Sequence, residues 1–282
     1  MTRNIIGLAI IILLSGCASI ISSTTSRFAN NLTLAILNQN DLETVRAGAP
    51  AYLIMVDGFI EDDPESTSLL LSGSKLYSSY NSAFVDDELR SKKMAERSLA
   101  YAKTALCIEL PQICNALPLR LDAFTDSLET ADKDDLPVLH GFASAWAGSI
   151  QSNPEDWNAI ANIPKLKSSF ERSIELDENF DSGSGHIYLG VLATQIPPAL
   201  GGKPEIGRVH FEKAIEISNG HNLMIKVLMA QHYARLVFDR TLHDKLLESV
   251  LSEPADFAGF TLINTLAKQQ ARVLLDESDD FF

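Results

Sequence analysis

The chain has 282 residues and a formal net charge of −14, with 46% hydrophobic and 7% aromatic residues. Such a composition is too apolar for disorder and long enough to bury a substantial core. A polyanion of this kind is a poor nucleic-acid ligand and is repelled by anionic lipid headgroups, so no nucleic-acid partner is expected and no electrostatic contact with a membrane surface.

Residues 1–16 have the layout of a secretory signal: Arg3 and the amino terminus supply positive charge, and Ile5–Leu14 form an apolar run. That run is about half the twenty residues that a spanning helix needs. Leu14-Ser15-Gly16-Cys17 closes it in the pattern of a bacterial lipoprotein, which makes Cys17 the expected acylation site and the first residue of the mature chain. Several acyl chains, at about 0.8 kcal/mol per buried methylene, hold a protein on a membrane without crossing it. Ala18 favours sorting to the outer membrane by the enteric rule. The expected layout is a signal peptide over 1–16, a lipidated tether over 17–28, a helical-repeat domain over 29–275 and an acidic tail over 276–282. Loss of Arg3 leaves the mature chain one unit more negative.

Helical periodicity dominates the mature chain. Tyr52, Met55, Val56, Phe59 and Ile60 share one stripe, and Leu139, Phe142, Ala143, Trp146 and Ile150 share another. Asp57 lies among apolar residues. It belongs either on the polar face beside Leu53 and Glu61, or, with Tyr52 and Tyr233, to a groove or an interface between subunits. Cys107 and Cys114 suit a disulfide between a helix end and the Pro111 turn in an oxidising compartment, with two reduced buried thiols as the alternative. Their spacing matches no zinc site.

Internal similarity appears further on. Phe170-Glu171-Arg172-Ser173-Ile174-Glu175-Leu176 aligns with Phe211-Glu212-Lys213-Ala214-Ile215-Glu216-Ile217, 41 residues later. Ala95 to Leu99 is a weaker copy. Between the two better copies lies Leu189-Gly190, and a Leu-Gly pair in one helix followed by Phe-x-x-Ala/Ser in the next is the tetratricopeptide pattern. Gly190 admits a close helix approach, while Phe170 with Ser173 and Phe211 with Ala214 are large and small complements. The repeat period is about 34, so the surplus falls in the Pro- and Gly-rich segment 197–204. Asn219-Gly220 reads as a helix stop. The fold class is therefore all-α, a tetratricopeptide-like α-solenoid or helical-repeat array.

Motifs for catalysis fail one by one. Tyr188 occupies the third glycine position of a dinucleotide turn, Pro204 replaces the Ser or Thr of a phosphate loop, and no nucleophile elbow or zinc helix occurs. His210, His221, His232 and His243 recur every eleven residues, yet even on one helix face they would stand roughly 16 Å apart, too far for one metal. The carboxylate clusters read as helix caps and solvated ends. No catalytic residue, cofactor or metal is expected, and the protein is not expected to be an enzyme.

Specific segments carry a family resemblance: Gly48-Ala49-Pro50-Ala51-Tyr52-Leu53 running into Asp57-Gly58-Phe59-Ile60-Glu61, Leu136 to Gly141, Pro197 to Gly202 with His210 to Ala214, Tyr233-Ala234-Arg235, and Leu262 to Ala267. In these, in order over nearly all of the mature chain, it resembles the TRAP transporter T-component family of periplasmic lipoproteins. Gly207 departs from the alanine a repeat prefers and predicts a helix that starts late or bends. The resemblance implies an accessory of tripartite ATP-independent periplasmic transport that docks the solute-binding protein. It further implies self-association through the helical body into a homo-oligomer such as a trimer, a central passage, and handling of apolar ligands, lipids or organic acids. It also implies a periplasmic location with a lipid anchor as the membrane contact. The alternative is a repeat lipoprotein that scaffolds outer-membrane or cell-wall assembly machinery. A ligand-transfer role predicts an apolar-lined groove.

Overall fold

A computed structural model describes residues 34–282, which contain helices and no strand; Cys17 and the signal segment lie outside these residues. Three long helices come first: α1 (Leu42–Asp62), α2 (Thr67–Phe84) and α3 (Glu88–Glu109). Short α4 (Pro111–Ala116) and α5 (Leu121–Leu128) turn the chain into α6 (Leu136–Gln151), and one-turn α7 (Trp157–Ile160) precedes α8 (Ile163–Leu176). Helices α9 (Ser184–Ala193) and α10 (Pro204–Ile217) come next. Helix α11 (Met224–Leu228) runs into a π-helical stretch, Met229–Ala234, and α12 (Arg240–Ser252), α13 (Thr261–Asp276) and α14 (Ser278–Phe281) complete the body.

Aspartates start several of these helices. The carboxylate of Asp41 accepts from the Glu43 and Thr44 N–H groups, Asp87 from Arg90, Asp156 from Asn158 and Ala159, and Asp239 from Leu242. Each satisfies donors that a helix N-terminus leaves unpaired and sets a negative charge at the positive end of the dipole. Asn219 and Gly220, with φ of 50° and 73°, end α10, and the Gly220 N–H returns to the Ile215 carbonyl at 2.9 Å.

The stripe on α1 differs from the expected one. Val45, Leu53, Val56 and Ile60 are buried, whereas Ile54 is 72% exposed and Phe59 37%. Apolar residues occupy most of the circumference of α1, so the packing of α2 and α3 decides the phase, and Leu53 leaves the polar face assigned to it. Pro50 lies inside this helix and has no N–H for the Arg46 carbonyl. The Tyr80 hydroxyl of α2 donates to that carbonyl instead, at 3.1 Å. Tyr80→Phe should therefore cost about 1 kcal/mol, and much less in a Pro50→Ala background where the helix can bond itself. Urea titrations of the four proteins measure this coupling; equal costs in both backgrounds would contradict it.

Helices pack on their chain neighbours: α1 on α2, α2 on α3, α8 on α9, α9 on α10 and α12 on α13, with α6 bridging α3 and α8. No pair buries its own apolar face, so stacking supplies the core. The array is not open-ended. Leu266 of α13 shares an apolar cluster with Val45 and Leu53 of α1 and Tyr77, Tyr80 and Phe84 of α2, and the Gly259 N–H donates to Asn38 Oδ1 at 2.8 Å. The first and last long helices thus bury apolar surface that an open solenoid would leave in water.

Cys107 of α3 and Cys114 of α4 are joined, with Cα atoms 5.0 Å apart, which fixes the end of α3 to the Pro111 turn. Residues 276–282 do not form a free tail. Asp276 ends α13, the buried Ser278 donates to Asp244 at 2.7 Å, and the rings of Phe281 and Phe282 pack with Phe238. The Ser278 hydrogen bond and the ion pairs of Glu277 with Arg235 and Asp279 with Arg240 hold the segment down.

Candidate functional site

The repeat residues meet where α8, α9 and α10 stack. Phe170 is fully buried and lies against Tyr188, ring centroids 4.4 Å apart and planes within 9°. The buried Ser173 donates to the Ser169 carbonyl at 2.9 Å. Leu189 joins Phe170 and Leu166 in one cluster, and Phe211 joins Ala214, Ile225, Met229 and Tyr233 in the next. A Cβ on Gly190 would come 2.9 Å from the Phe211 ring, so the ring occupies the space the glycine leaves. Gly207 does not delay its helix, since α10 begins at Pro204. It is the second half of the same close approach: a Cβ there would lie 2.8 Å from the Gly190 carbonyl oxygen and 2.6 Å from the Thr194 methyl. Backbone cannot yield as a flexible side chain does, so Gly207→Ala should cost about 1–3 kcal/mol in a denaturant titration. An alanine variant as stable as the parent would contradict the contact.

Alongside this seam runs a groove of about 450 Å³, lined chiefly by Leu128 and Glu129 at the end of α5, Glu171, Arg172 and Glu175 of α8, Leu189 of α9 and His210 of α10. Its lining is mixed: Leu128, Ile174, Leu189 and the stems of longer side chains supply apolar surface, and the α8 face that is free of core contacts adds charges. Arg172 is held by Glu129 at 3.4 Å, Glu175 at 3.1 Å and the Ala131 carbonyl at 2.9 Å. His210 Nδ1 lies 2.8 Å from Nδ1 of His186, one ring donating and the other accepting. Burial lowers the pKa of both, which suits an uncharged pair. Glu129 and Glu175 pair with Arg172 and Glu171 pairs with Lys167, so the groove keeps only a small excess of negative charge.

Asp57 does not face a groove. Its carboxylate accepts from the hydroxyls of Tyr77 and Tyr101, each at 2.7 Å, and from Arg97 at 3.2 Å, tying α1 to α2 and α3. Burial, with the Asp57 carboxylate next, raises the pKa of both tyrosines and keeps them as donors. Tyr52 is half-buried on α1, and Tyr233 is only 4% exposed, donating to Glu205 at 2.7 Å. Asp57, Tyr52 and Tyr233 therefore form no common surface. The partners of Asp57 lie 20 to 44 residues away in the chain, and no local signal marks them.

Ser184 Oγ lies 2.8 Å from Nε2 of His140, at the start of α9 after three left-handed residues, Asp181, Ser182 and Gly183. His140 is enclosed by Phe170, Phe180 and Tyr188, and the hollow beside it is too small for a water molecule. The hydroxyl there satisfies a buried imidazole. Burial pushes the His140 pKa down to about 4. Between about pH 6.5 and 4 the unfolded chain then binds a proton that the folded chain does not, so stability falls as pH drops through that window, by about 3 kcal/mol in all. Melting curves from pH 7 to 4 should show this slope, and His140→Gln should reduce it; an unchanged slope would contradict the assignment. The regularly spaced histidines serve separate surroundings: His210 pairs with His186, His221 stacks on Phe257, and His243 is buried beside Asp244. No group of three or more metal-ligating side chains occurs among the described residues.

Stacked helix pairs with a complementary glycine seam define an all-α helical-repeat protein. No helix among the described residues is long and apolar enough to cross a membrane. Over residues 38–282 the sequence matches the family described as TRAP transporter T-component, and the chain belongs to that family. Its role therefore lies in TRAP transport. No curated protein matches the chain at a significant level.

Proposed function

We propose that the protein is a lipid-anchored periplasmic accessory of a TRAP transporter that docks the solute-binding protein and assists transfer of its ligand. The observation that carries this is the family match over residues 38–282, which spans the whole described repeat body. Stacked helix pairs suit docking because they present a long, rigid face at little ordering cost. Cys17 is the residue that would tether this face to the membrane, the outer membrane by the Ala18 rule. Self-association through the same body belongs to this reading.

The ligand-handling half rests on the family alone. Arg172, already paired with two glutamates, offers no free cation to a carboxylate ligand. Capture of the tagged chain from detergent-solubilised membranes, followed by mass spectrometry, tests the docking half. Recovery of a TRAP solute-binding protein is the expected result. Recovery of barrel-assembly or peptidoglycan proteins in its place would overturn the reading in favour of an envelope-assembly scaffold.

A further inference from the structure

Phe238 ends the segment that begins with the π-helical turn Met229–Ala234, and it does so with φ of 59° and 67% of its surface exposed. Its N–H donates to the Arg235 carbonyl at 3.2 Å, and the next N–H reaches back to Ala234 at 2.9 Å. This is the left-handed helix stop that glycine or asparagine usually fills. An aromatic residue is strained there, and with most of its surface in water it recovers little by burial. The ring instead joins two others from the far end of the chain. Phe281 lies 5.9 Å away and is itself 41% exposed, Phe282 lies 5.6 Å away, and the Arg235 guanidinium covers Phe281 at 4.5 Å.

The charges around this aromatic tip are lopsided. Arg235 is paired with Glu277 at 3.1 Å, and Arg240 with Asp244 and Asp279. Asp239, Asp276 and Asp280 are exposed, and Asp276 and Asp280 have no cation within ion-pair distance among the described residues. The rim is therefore acidic. A second copy meeting it through the same tip would bring like charge against like, and anionic lipid would be repelled in the same way.

The geometry points to a docking epitope for the solute-binding protein: Phe238, Phe281 and Phe282 enter a shallow apolar pocket on that partner, whose rim carries lysine or arginine opposite Asp239, Asp276 and Asp280. This rests on the docking reading above and places it at one end of the fold. Aromatic residues of this kind dominate binding when a pocket desolvates them, and the acid rim steers the encounter.

The test is a calorimetric titration of the full chain with the purified TRAP solute-binding protein of the same organism. Phe238→Gly and Phe238→Asn should each weaken binding by about 30-fold, while the unfolding midpoint stays level or rises, because both residues suit a left-handed position. The Asp276→Lys, Asp280→Lys double variant should weaken binding by about tenfold and flatten its salt dependence. Binding unchanged in both Phe238 variants would overturn the tip assignment and leave the docking reading intact. Midpoints well below the parent in both would make Phe238 a packing residue and overturn it as well. No binding by the unsubstituted chain would overturn the docking reading and the tip with it. Phosphatidylglycerol vesicles form the control arm: binding that Phe238→Gly abolishes there, with the protein titration unchanged, would make the tip a membrane contact.

Discussion

Replacing Phe211 by alanine is expected to destabilise the fold by about 3–5 kcal/mol, the largest single loss among the repeat residues. Phe211 is fully buried, its ring fills the space over Gly190, and it joins α10 to α11 and the π-helical stretch through Ala214, Ile225, Met229 and Tyr233. Little can collapse into the cavity, because Gly190 has no side chain to move and Gly207 already holds the two backbones in contact. For a body of this size each kcal/mol shifts the midpoint by about 2–4 °C, so a thermal melt should move by roughly 10 °C. A loss under about 1 kcal/mol would mean that the α9–α10 seam is not where the array is locked.

A comparable loss, about 3–5 kcal/mol, is expected for Asn264→Ala, by a different route. Asn264 is 1% exposed in α13. Its Oδ1 accepts from the Leu223 N–H at 2.9 Å, and its amide donates to the carbonyls of His221 at 2.9 Å and Ala255 at 3.2 Å. Alanine would leave the buried Leu223 N–H and two half-buried carbonyls unpaired, each costing about 1–3 kcal/mol less whatever water recovers. Asn264→Asp separates the hydrogen bonds from packing, since it keeps the shape and the acceptor but loses both donors. Chemical denaturation should place both variants well below the parent, Asn264→Asp because its buried carboxylate would face two carbonyl oxygens. A mild loss for Ala would show that the loops before α11 and α13 hold themselves.

The all-α class and the repeat are legible in the sequence because they rest on local pattern. Phe170 and Phe211 sit in matching heptapeptides, and Leu189-Gly190 stands between them. Asn219-Gly220 marks a helix end through its own backbone preference. What escapes the sequence depends on which elements meet. The stripe of α1 is right at Val56 and Ile60 but takes Tyr52 and Phe59 in place of Val45 and Leu53, because a helix apolar on most sides carries no phase until α2 and α3 choose one. Asp57 stands out correctly as an acid among apolar residues, but Tyr77, Arg97 and Tyr101 come from two other helices, and they turn a candidate groove residue into a tie. Gly207 looks like a defect in the repeat until Gly190 is placed opposite it. The acidic end of the chain reads as a tail because Phe281 and Phe282 meet Phe238, on another segment, only in the fold. Burial of Tyr233 and closure of α13 onto α1 likewise have no local signature.

The transport role comes from the family, and the central claim beyond it is a direct, specific complex with a solute-binding protein. Sedimentation velocity on the purified chain mixed with the purified TRAP solute-binding protein of the same organism tests that claim most directly. A saturable, faster-sedimenting species containing both chains, formed at micromolar concentration without any third component, is the predicted result. Two boundaries that sediment independently at tens of micromolar, with and without the transported solute, would contradict it.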